Sequence, residues 1–169
     1  MTVMVRFGDI LDTPGDTLVL PVDGQAPGLE GNVARKFMAR VGAEHMHELY
    51  APPPNYPFNG RAHWSSSLPC DRTHFRWICC LGVLSHAPSA NHKGYVRAAL
   101  GQMLAHAGKE PGKGEDIACP VLTGGHRIRY IDAVYLMLSA IQDTRSRSTI
   151  HITEHDPERF EMLQSIVGF

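Results

Sequence analysis

Two loops of the sequence combine residue types that bind anions. The first covers residues 23–32 and holds three glycines, and the second covers residues 123–129 and holds the adjacent Gly124 and Gly125 beside two arginines. Adjacent glycines let a backbone approach phosphate oxygens closely and adopt the positive φ angles of an anion-binding nest. Arginine side chains would add positive charge. The second loop in particular is predicted to hold a phosphate group of a small molecule.

Either loop alone is equally consistent with a plain turn of the chain. Neither matches the glycine fingerprint of dinucleotide-binding domains or the phosphate-binding loop that ends in Lys-Ser/Thr. We therefore expect no bound cofactor. The significance of the two loops depends on where the surrounding elements place them.

Strands and helices alternate along the chain, as the spacing of apolar residues indicates. Apolar or alternating runs predict strands over residues 3–7, 17–22, 76–84, 117–122 and 149–153. Helical spacing predicts helices with these inner faces: Val33, Phe37 and Val41; Val96, Leu100, Met103, Leu104 and Ala107; Ile131, Val134, Tyr135, Leu138 and Ile141; Phe160, Leu163 and Val167. This alternation is typical of a largely parallel sheet with helices on both faces. Ligands of such sheets bind beyond the carboxyl ends of the strands, where both loops begin.

Residues 51–68 interrupt the alternation. They contain four prolines and an Asn59-Gly60 pair, which favour turns over a long regular element. We expect this segment to run over the surface of the protein.

Length and charge limit the class of protein. The 169 residues, of which 43% are hydrophobic, predict one domain covering residues 1–169. A net charge of -1 excludes bulk attraction to nucleic acid or to an anionic membrane, so an anion site must be local. The sequence has no apolar run near the ~20 residues of a membrane-spanning helix, no secretory start, and four irregularly spaced cysteines. We expect a cytoplasmic protein with free thiols.

Four landmarks follow one another in a specific order. They are Gly8-Asp9-Ile10, the strand at residues 16–23, the helix start Gly31-Asn32-Val33-Ala34, and Ile-Ala-Cys-Pro-Val-Leu-Thr-Gly at residues 117–124. In this order the sequence resembles a macrodomain, the ADP-ribose-binding α/β/α module, over nearly the whole chain. The resemblance implies a three-layer α/β/α fold around a central mixed, largely parallel sheet.

The resemblance also implies ligand contacts. Asp9 would accept a hydrogen bond from the adenine amino group and Ile10 would offer a backbone contact, although Asp9 alone would more simply cap a turn. The remaining contacts implied around the ribose groups and the diphosphate are Asp23, Gly31, Asn32, Val33, Thr123, Gly124, Gly125, His126 and Arg127. His155 lies about where the family often places an aromatic residue beside adenine.

Departures from the family pattern concern catalysis. Asp23 stands where the family's hydrolases commonly carry an Asn that orients the distal ribose, and an Asp cannot donate as an amide does. Glu30 would narrow the space for the phosphate groups or repel their charge. The second loop has Arg127-Ile128-Arg129 where the family has a Gly-Tyr-like closure. Some hydrolases of the family use a lysine near the position of Lys36 to form a covalent sugar adduct. The spacing of Lys36 does not match that lysine cleanly.

Three hypotheses remain open at this point. The leading one is binding of ADP-ribose or a related adenine nucleotide, free or on an ADP-ribosylated protein. The second is hydrolysis that removes ADP-ribose from a protein or metabolite, with Asp23 activating water. The third is a non-catalytic scaffold that uses the proline-rich residues 51–57 and exposed helices for protein contacts, with its cleft partly closed. Filling of the cleft by Glu30 or Arg127 would favour it. A metal site drawn from Cys70, His74, Cys79 and Cys80 has no paired ligand spacing, and we expect none.

Overall fold

A computed structural model describes residues 1–25, 29–49, 52, 53, 55–66 and 71–168. The strands are β1 (Thr2–Phe7), β2 (Thr17–Asp23), β3 (Ala62–Ser66), β4 (Trp77–Leu84), β5 (Asp116–Cys119) and β6 (Thr149–Glu154). The α-helices are α1 (Asn32–Val41), α2 (Ala43–Leu49), α3 (His92–His106), α4 (Tyr130–Gln142) and α5 (Pro157–Val167), and a short 3-10 helix covers Ile10–Asp12. No helix in these ranges is long and apolar enough to cross a membrane.

The six strands form one sheet in the order β1-β6-β5-β2-β4-β3. All neighbours are parallel except β3, which pairs antiparallel with β4. The predicted mixed, largely parallel sheet is therefore confirmed. β2 lies inside the sheet between β4 and β5, so the loops that follow these three strands leave from the same edge.

Helices cover both faces of the sheet. Alternate residues of β2 point to opposite sides, so Leu18 and Leu20 pack in the core beneath α1 with Phe37, whereas Val19 packs in the core beneath α3 and α4. Cys79 and Cys80 of β4 likewise belong to different cores. The predicted three-layer α/β/α architecture is confirmed.

Two elements were not expected from the sequence. β3 lies within the segment predicted as a surface excursion, and α2 begins directly after Gly42, where α1 ends. β3 is an edge strand that only β4 pairs with, and its residues are mostly half-buried. Such a strand is ordered by its neighbour and needs no strong apolar pattern of its own.

The predicted inner face of α4 is partly wrong. Ile131 and Tyr135 are 46% and 58% exposed, respectively. Val134 and Ile141 are buried as predicted, together with Ala133 and Met137. α3 packs against α4, and small alanines occupy part of the buried face of α4. Ile131 and Tyr135 therefore lie outside the buried face. β5 also ends earlier than predicted, at Cys119, because Pro120 has no N–H to continue the ladder.

Candidate functional site

Two adjoining pockets lie at the carboxyl ends of β2, β4 and β5. The Asp23 pocket, about 350 Å³, is lined by Asp23, Glu30, Gly31, Asn32, Arg35, Leu84, Ser85, His86, Gly124, Gly125 and Arg127. The His155 pocket, about 340 Å³, is lined by Pro21, Asn32, Val33, Leu84, Pro120, Val121, Leu122, Thr123, Gly124, Gly125, His126, His155 and Arg159. A larger pocket of about 790 Å³ lies at the opposite end of the sheet, between the ends of α3 and α4.

Four residues belong to both pockets. They are Asn32, Leu84, Gly124 and Gly125. The start of α1, the end of β4 and the second loop therefore form a wall that both pockets share, and the two pockets lie side by side as the halves of one cleft. Each half has a volume in the range of small-molecule sites, roughly 300–1,000 Å³.

The start of α1 closes tightly on β2. A Cβ atom at Gly31 would lie 2.3 Å from the Pro21 carbonyl oxygen and 3.4 Å from Leu84 Cδ1, so no larger residue fits there without a backbone shift. Gly31 is the N-cap of α1 and has no side chain to satisfy the first N–H groups of the helix. These N–H groups and the helix dipole favour an anion beside Gly31.

The second loop turns through left-handed backbone, which glycine favours. Gly124, Gly125 and His126 have consecutive positive φ angles of 62°, 68° and 68°. Thr123 holds the turn, because its carbonyl oxygen accepts from the Ile128 N–H at 2.9 Å and its Oγ1 from the His126 N–H at 3.3 Å. A left-handed conformation costs a non-glycine residue about 1–2 kcal/mol, so its retention at His126 is typical of functional loops.

The Asp23 pocket contains charges of both signs. Asp23 Oδ1 accepts from the Gln25 N–H at 2.8 Å, and the Asp23 N–H donates to the Glu30 carbonyl at 3.0 Å, which ties the two ends of the first loop together. Arg35 Nη2 donates to Asn32 Oδ1 at 2.8 Å. Glu30 and Arg127 line the pocket without filling it, so the observation that would favour the scaffold hypothesis is not made here.

The His155 pocket is bordered by the start of α5. His155 is 76% exposed at its side chain, and its Nδ1 lies 3.5 Å from Glu154 Oε2. The Arg159 guanidinium lies 5.7 Å from the centre of the Tyr130 ring. Burial of Tyr130, together with the nearby Glu154 carboxylate, raises the pKa of its hydroxyl well above the usual value. Tyr130 therefore stays neutral beneath the cationic Arg159.

Asp9 and Ile10 line neither pocket. The Asp9 carboxylate caps the 3-10 helix through the Leu11 N–H at 2.9 Å and pairs with Lys36 Nζ at 3.2 Å. Burial opposes ionisation of Asp9, but the Leu11 N–H, Lys36 and Arg40 outweigh it and hold the pKa below its usual value. The Ile10 side chain is buried in the core beneath α1. The simple role of Asp9 as a turn cap is present, and its contact with adenine stays a prediction.

Several lining residues were missed by the sequence analysis. Leu84, Ser85 and His86 line the Asp23 pocket at the end of β4, and Arg35 and Arg159 lie in the first turns of α1 and α5. The rule that ligands gather beyond strand ends would have found residues 84–86, since the strand at 76–84 was predicted. Part of the first loop, residues 26–28, lies outside the described residues.

Thiols and metal ligands are not gathered at this cleft. Within the described ranges, no group of three or more His, Cys, Asp or Glu side chains is placed to hold a metal ion, and Cys70 lies outside these ranges. Burial raises the pKa of Cys79 well above its usual value, and the neighbouring Cys80 and Cys119 raise it further. These buried thiols behave as small apolar side chains.

Comparison with solved structures shows what this arrangement resembles. The chain superposes on an Oceanobacillus iheyensis macrodomain with ADP at a TM-score of 0.75, over 97% of this chain and 88% of that one, with 13% identity. A Trypanosoma brucei macrodomain in complex with ADP-ribose gives 0.69, over 98% and 69%, with 12% identity. The chain has the macrodomain fold.

The macrodomain fold is present here in a divergent sequence. An alphavirus P23pro-zbd structure gives a TM-score of 0.71 and 14% identity over 99% of this chain, which spans only 23% of that viral chain. The sequence matches no protein-family model and no curated protein. Its likeness to macrodomains therefore lies in the fold.

Proposed function

We propose that this protein binds ADP-ribose or a related adenine nucleotide in the cleft between α1 and the second loop. One observation carries the proposal. The uncapped start of α1 at Gly31 and the left-handed glycine turn at Gly124, Gly125 and His126 border the wall that the two pockets share. Two anion-binding backbone features at the midpoint of a two-part cleft suit a diphosphate that joins two larger groups.

The two pockets then take the two ends of the ligand. We place the distal ribose in the Asp23 pocket, where Asp23 and Asn32 provide hydrogen-bonding oxygens for ribose hydroxyls. We place adenosine in the His155 pocket, whose Pro21, Val33 and Val121 offer apolar contacts to a flat base. In this pose the adenine amino group would share the Asp9 carboxylate with Lys36, as the resemblance to macrodomains implies.

Two macrodomain structures support this choice of ligand. One is described with ADP and the other in complex with ADP-ribose. The same cleft could accept ADP-ribose attached to a protein, because the Asp23 pocket is bordered by the exposed Arg35 and Arg127 and opens to solvent. An ADP-ribosylated protein is therefore the macromolecular partner we propose.

Isothermal titration calorimetry with ADP-ribose tests the proposal. We expect saturable heat with ADP-ribose and weaker binding of AMP and of ribose 5-phosphate, since each of these fills one half of the cleft. Comparison of mono-ADP-ribosylated and unmodified protein in a pull-down tests the proposed partner. Absence of both heat and thermal stabilisation at millimolar ADP-ribose would contradict binding.

Hydrolysis is a second candidate, which the position of Asp23 favours. Its Oδ1 is fixed by the Gln25 N–H at 2.8 Å, and its carboxylate faces the pocket where we place the distal ribose. A fixed carboxylate at this point could act as a general base toward water. We expect Asp23→Asn, which keeps the acceptor for Gln25, to retain ADP-ribose binding and lose release of ADP-ribose from a modified protein. If the parent protein leaves an ADP-ribosylated protein intact, hydrolysis of that substrate is excluded.

A further inference from the structure

Arg159 is held in the cleft by an aromatic ring. It lies in the first turn of α5, lines the His155 pocket, and its guanidinium sits 5.7 Å from the centre of the Tyr130 ring at the start of α4. A planar guanidinium over an aromatic face has a defined orientation and keeps its N–H groups free at the edge. The contact with Tyr130 thus favours an orientation of Arg159 at the His155 pocket.

The nearby carboxylates are engaged by backbone N–H groups. Glu154 Oε2 accepts from the N–H groups of His155 and Asp156 at 2.9 and 3.0 Å. Asp156 Oδ2 accepts from the Arg159 N–H at 2.9 Å as the N-cap of α5. Within the described part of the chain, no carboxylate oxygen lies within salt-bridge distance of the Arg159 guanidinium. Its donors are left for a ligand.

The two halves of the cleft differ in charge. The Asp23 pocket has two carboxylates and two arginines among its lining residues, whereas the lining of the His155 pocket includes Arg159, His126 and His155 and no acidic residue. ADP-ribose carries its charge on the diphosphate, which we place between the two pockets. Its adenosine end is neutral. The positive charge of the His155 pocket therefore exceeds what ADP-ribose itself would use.

We propose that the His155 pocket recognises a phosphomonoester on the ribose of adenosine, with Arg159 as the phosphate-binding residue. This inference rests on the proposed function, since it assumes that adenosine occupies this pocket. Arginine binds phosphate through two parallel N–H donors, and a phosphomonoester near neutral pH carries between one and two negative charges. His126 and His155 lie at the same pocket and add donors. The preferred ligand class is thus an ADP-ribose phosphorylated on its adenosine ribose.

Calorimetric titration of the intact protein with ADP-ribose and with ADP-ribose 2′-phosphate tests this inference. We expect the phosphorylated ligand to bind about tenfold more tightly, since charge-assisted hydrogen bonds of this kind change affinity by at least that factor. Arg159→Gln should remove most of the difference, because it should weaken binding of ADP-ribose 2′-phosphate more than binding of ADP-ribose. Arg159→Lys should restore part of it. Arg147→Gln, an exposed arginine beside the pocket at the opposite end of the sheet, is the matched control.

Each outcome separates the inference from the proposed function. Equal affinity for the two ligands would overturn the phosphate site and leave ADP-ribose binding intact. An equal loss for both ligands in Arg159→Gln would also overturn it, because the arginine would then serve the diphosphate. Binding of neither ligand would overturn both proposals. Thermal unfolding of each variant shows whether loss of the Tyr130 contact alters the fold, and Arg159→Lys, which keeps a cation at this position, supplies the readout if Arg159→Gln does not fold.

Discussion

Gly31 is the residue at which the fit between α1 and β2 can be tested most sharply. A Cβ atom there would lie 2.3 Å from the Pro21 carbonyl oxygen, which belongs to an inner strand and cannot move without disturbing the sheet. The start of α1 must therefore shift relative to β2, which would displace the N–H groups that we propose bind the diphosphate. We expect Gly31→Ala to weaken ADP-ribose binding by about tenfold or more, as measured by calorimetry.

Gly101 provides the matched control for Gly31. It lies in the middle of α3, and a Cβ atom there would meet no other atom within 4 Å. Because glycine destabilises a helix relative to alanine, Gly101→Ala should raise the free energy of unfolding by about 0.5–1 kcal/mol and leave ligand affinity unchanged. Equal affinities in the two alanine variants would show that the closeness of Gly31 to Pro21 does not matter for binding.

Asp9 links stability to pH. The Leu11 N–H, Lys36 and Arg40 outweigh the opposing effect of burial and lower the pKa of Asp9 in the folded protein. A lowered pKa contributes stability above the unfolded-state value of about 3.9, and that contribution is lost as pH falls through the lower folded-state value. Denaturant unfolding of the parent and Asp9→Asn should therefore give free energies that converge in acid. A pH-independent difference between about pH 2 and pH 6 would contradict this assignment.

At the scale of elements, Asp16 joins the starts of two strands. Its carboxylate accepts the N–H groups of Gly114, Glu115 and Asp116 at 2.8, 3.1 and 3.0 Å, which ties the start of β2 to the start of β5. In Asp16→Asn an amide NH₂ would face one or more of these donors. We expect a loss of about 1–3 kcal/mol in the free energy of unfolding, measured in urea.

Asp143→Asn serves as the control for Asp16→Asn. Asp143 is an exposed residue at the end of α4, and its replacement should change stability by no more than about 0.5 kcal/mol. Affinity for ADP-ribose should be unchanged in both variants, since Asp16 lies at the amino end of β2 and the cleft lies at the carboxyl end. A stability of Asp16→Asn equal to that of Asp143→Asn would contradict the role given to the Asp16 carboxylate.

The sequence predicts the buried elements well because their residues repeat at fixed spacing. β2, β4, α1 and α3 carry continuous or periodic apolar residues, and the structure confirms them. β3 escaped prediction because it depends on pairing with β4. The inner face of α4 was misplaced because the close approach of α3 favours Ala133 and leaves Tyr135 outside. Both features depend on packing between distant parts of the chain, which a local sequence pattern does not show.

The proximity of the two loops was predictable for a related physical reason. Both loops follow strands of a parallel sheet, so their proximity, which brings Asp23 near Gly124, follows from topology. The pairing of Asp9 with Lys36 and the position of Arg159 over Tyr130 were not predictable, because side chains from different elements meet there.

For the whole molecule, one domain is predicted to unfold as one unit. Differential scanning calorimetry should give a single transition whose van't Hoff and calorimetric enthalpies agree. A ligand that binds only the folded state should raise the midpoint of that same transition, with about 2.7 kcal/mol of added stability at 100 times Kd. Two separate transitions, of which ADP-ribose shifts only one, would show that the chain contains two units.

The pairing of β1 with β6 has a consequence for protein synthesis. The two strands are parallel neighbours, with Thr2 beside Thr149 and Phe7 beside Glu154. The Nε–H of Arg6 donates a hydrogen bond to Nδ1 of His151, which lies 145 residues away in the sequence. β2 and β4 are both complete by residue 84 and can pair while the chain is still growing. β1 has no partner strand until β6 has been synthesised. A nascent chain of this topology therefore exposes β1 as an unpaired strand until residues 149–154 have been added.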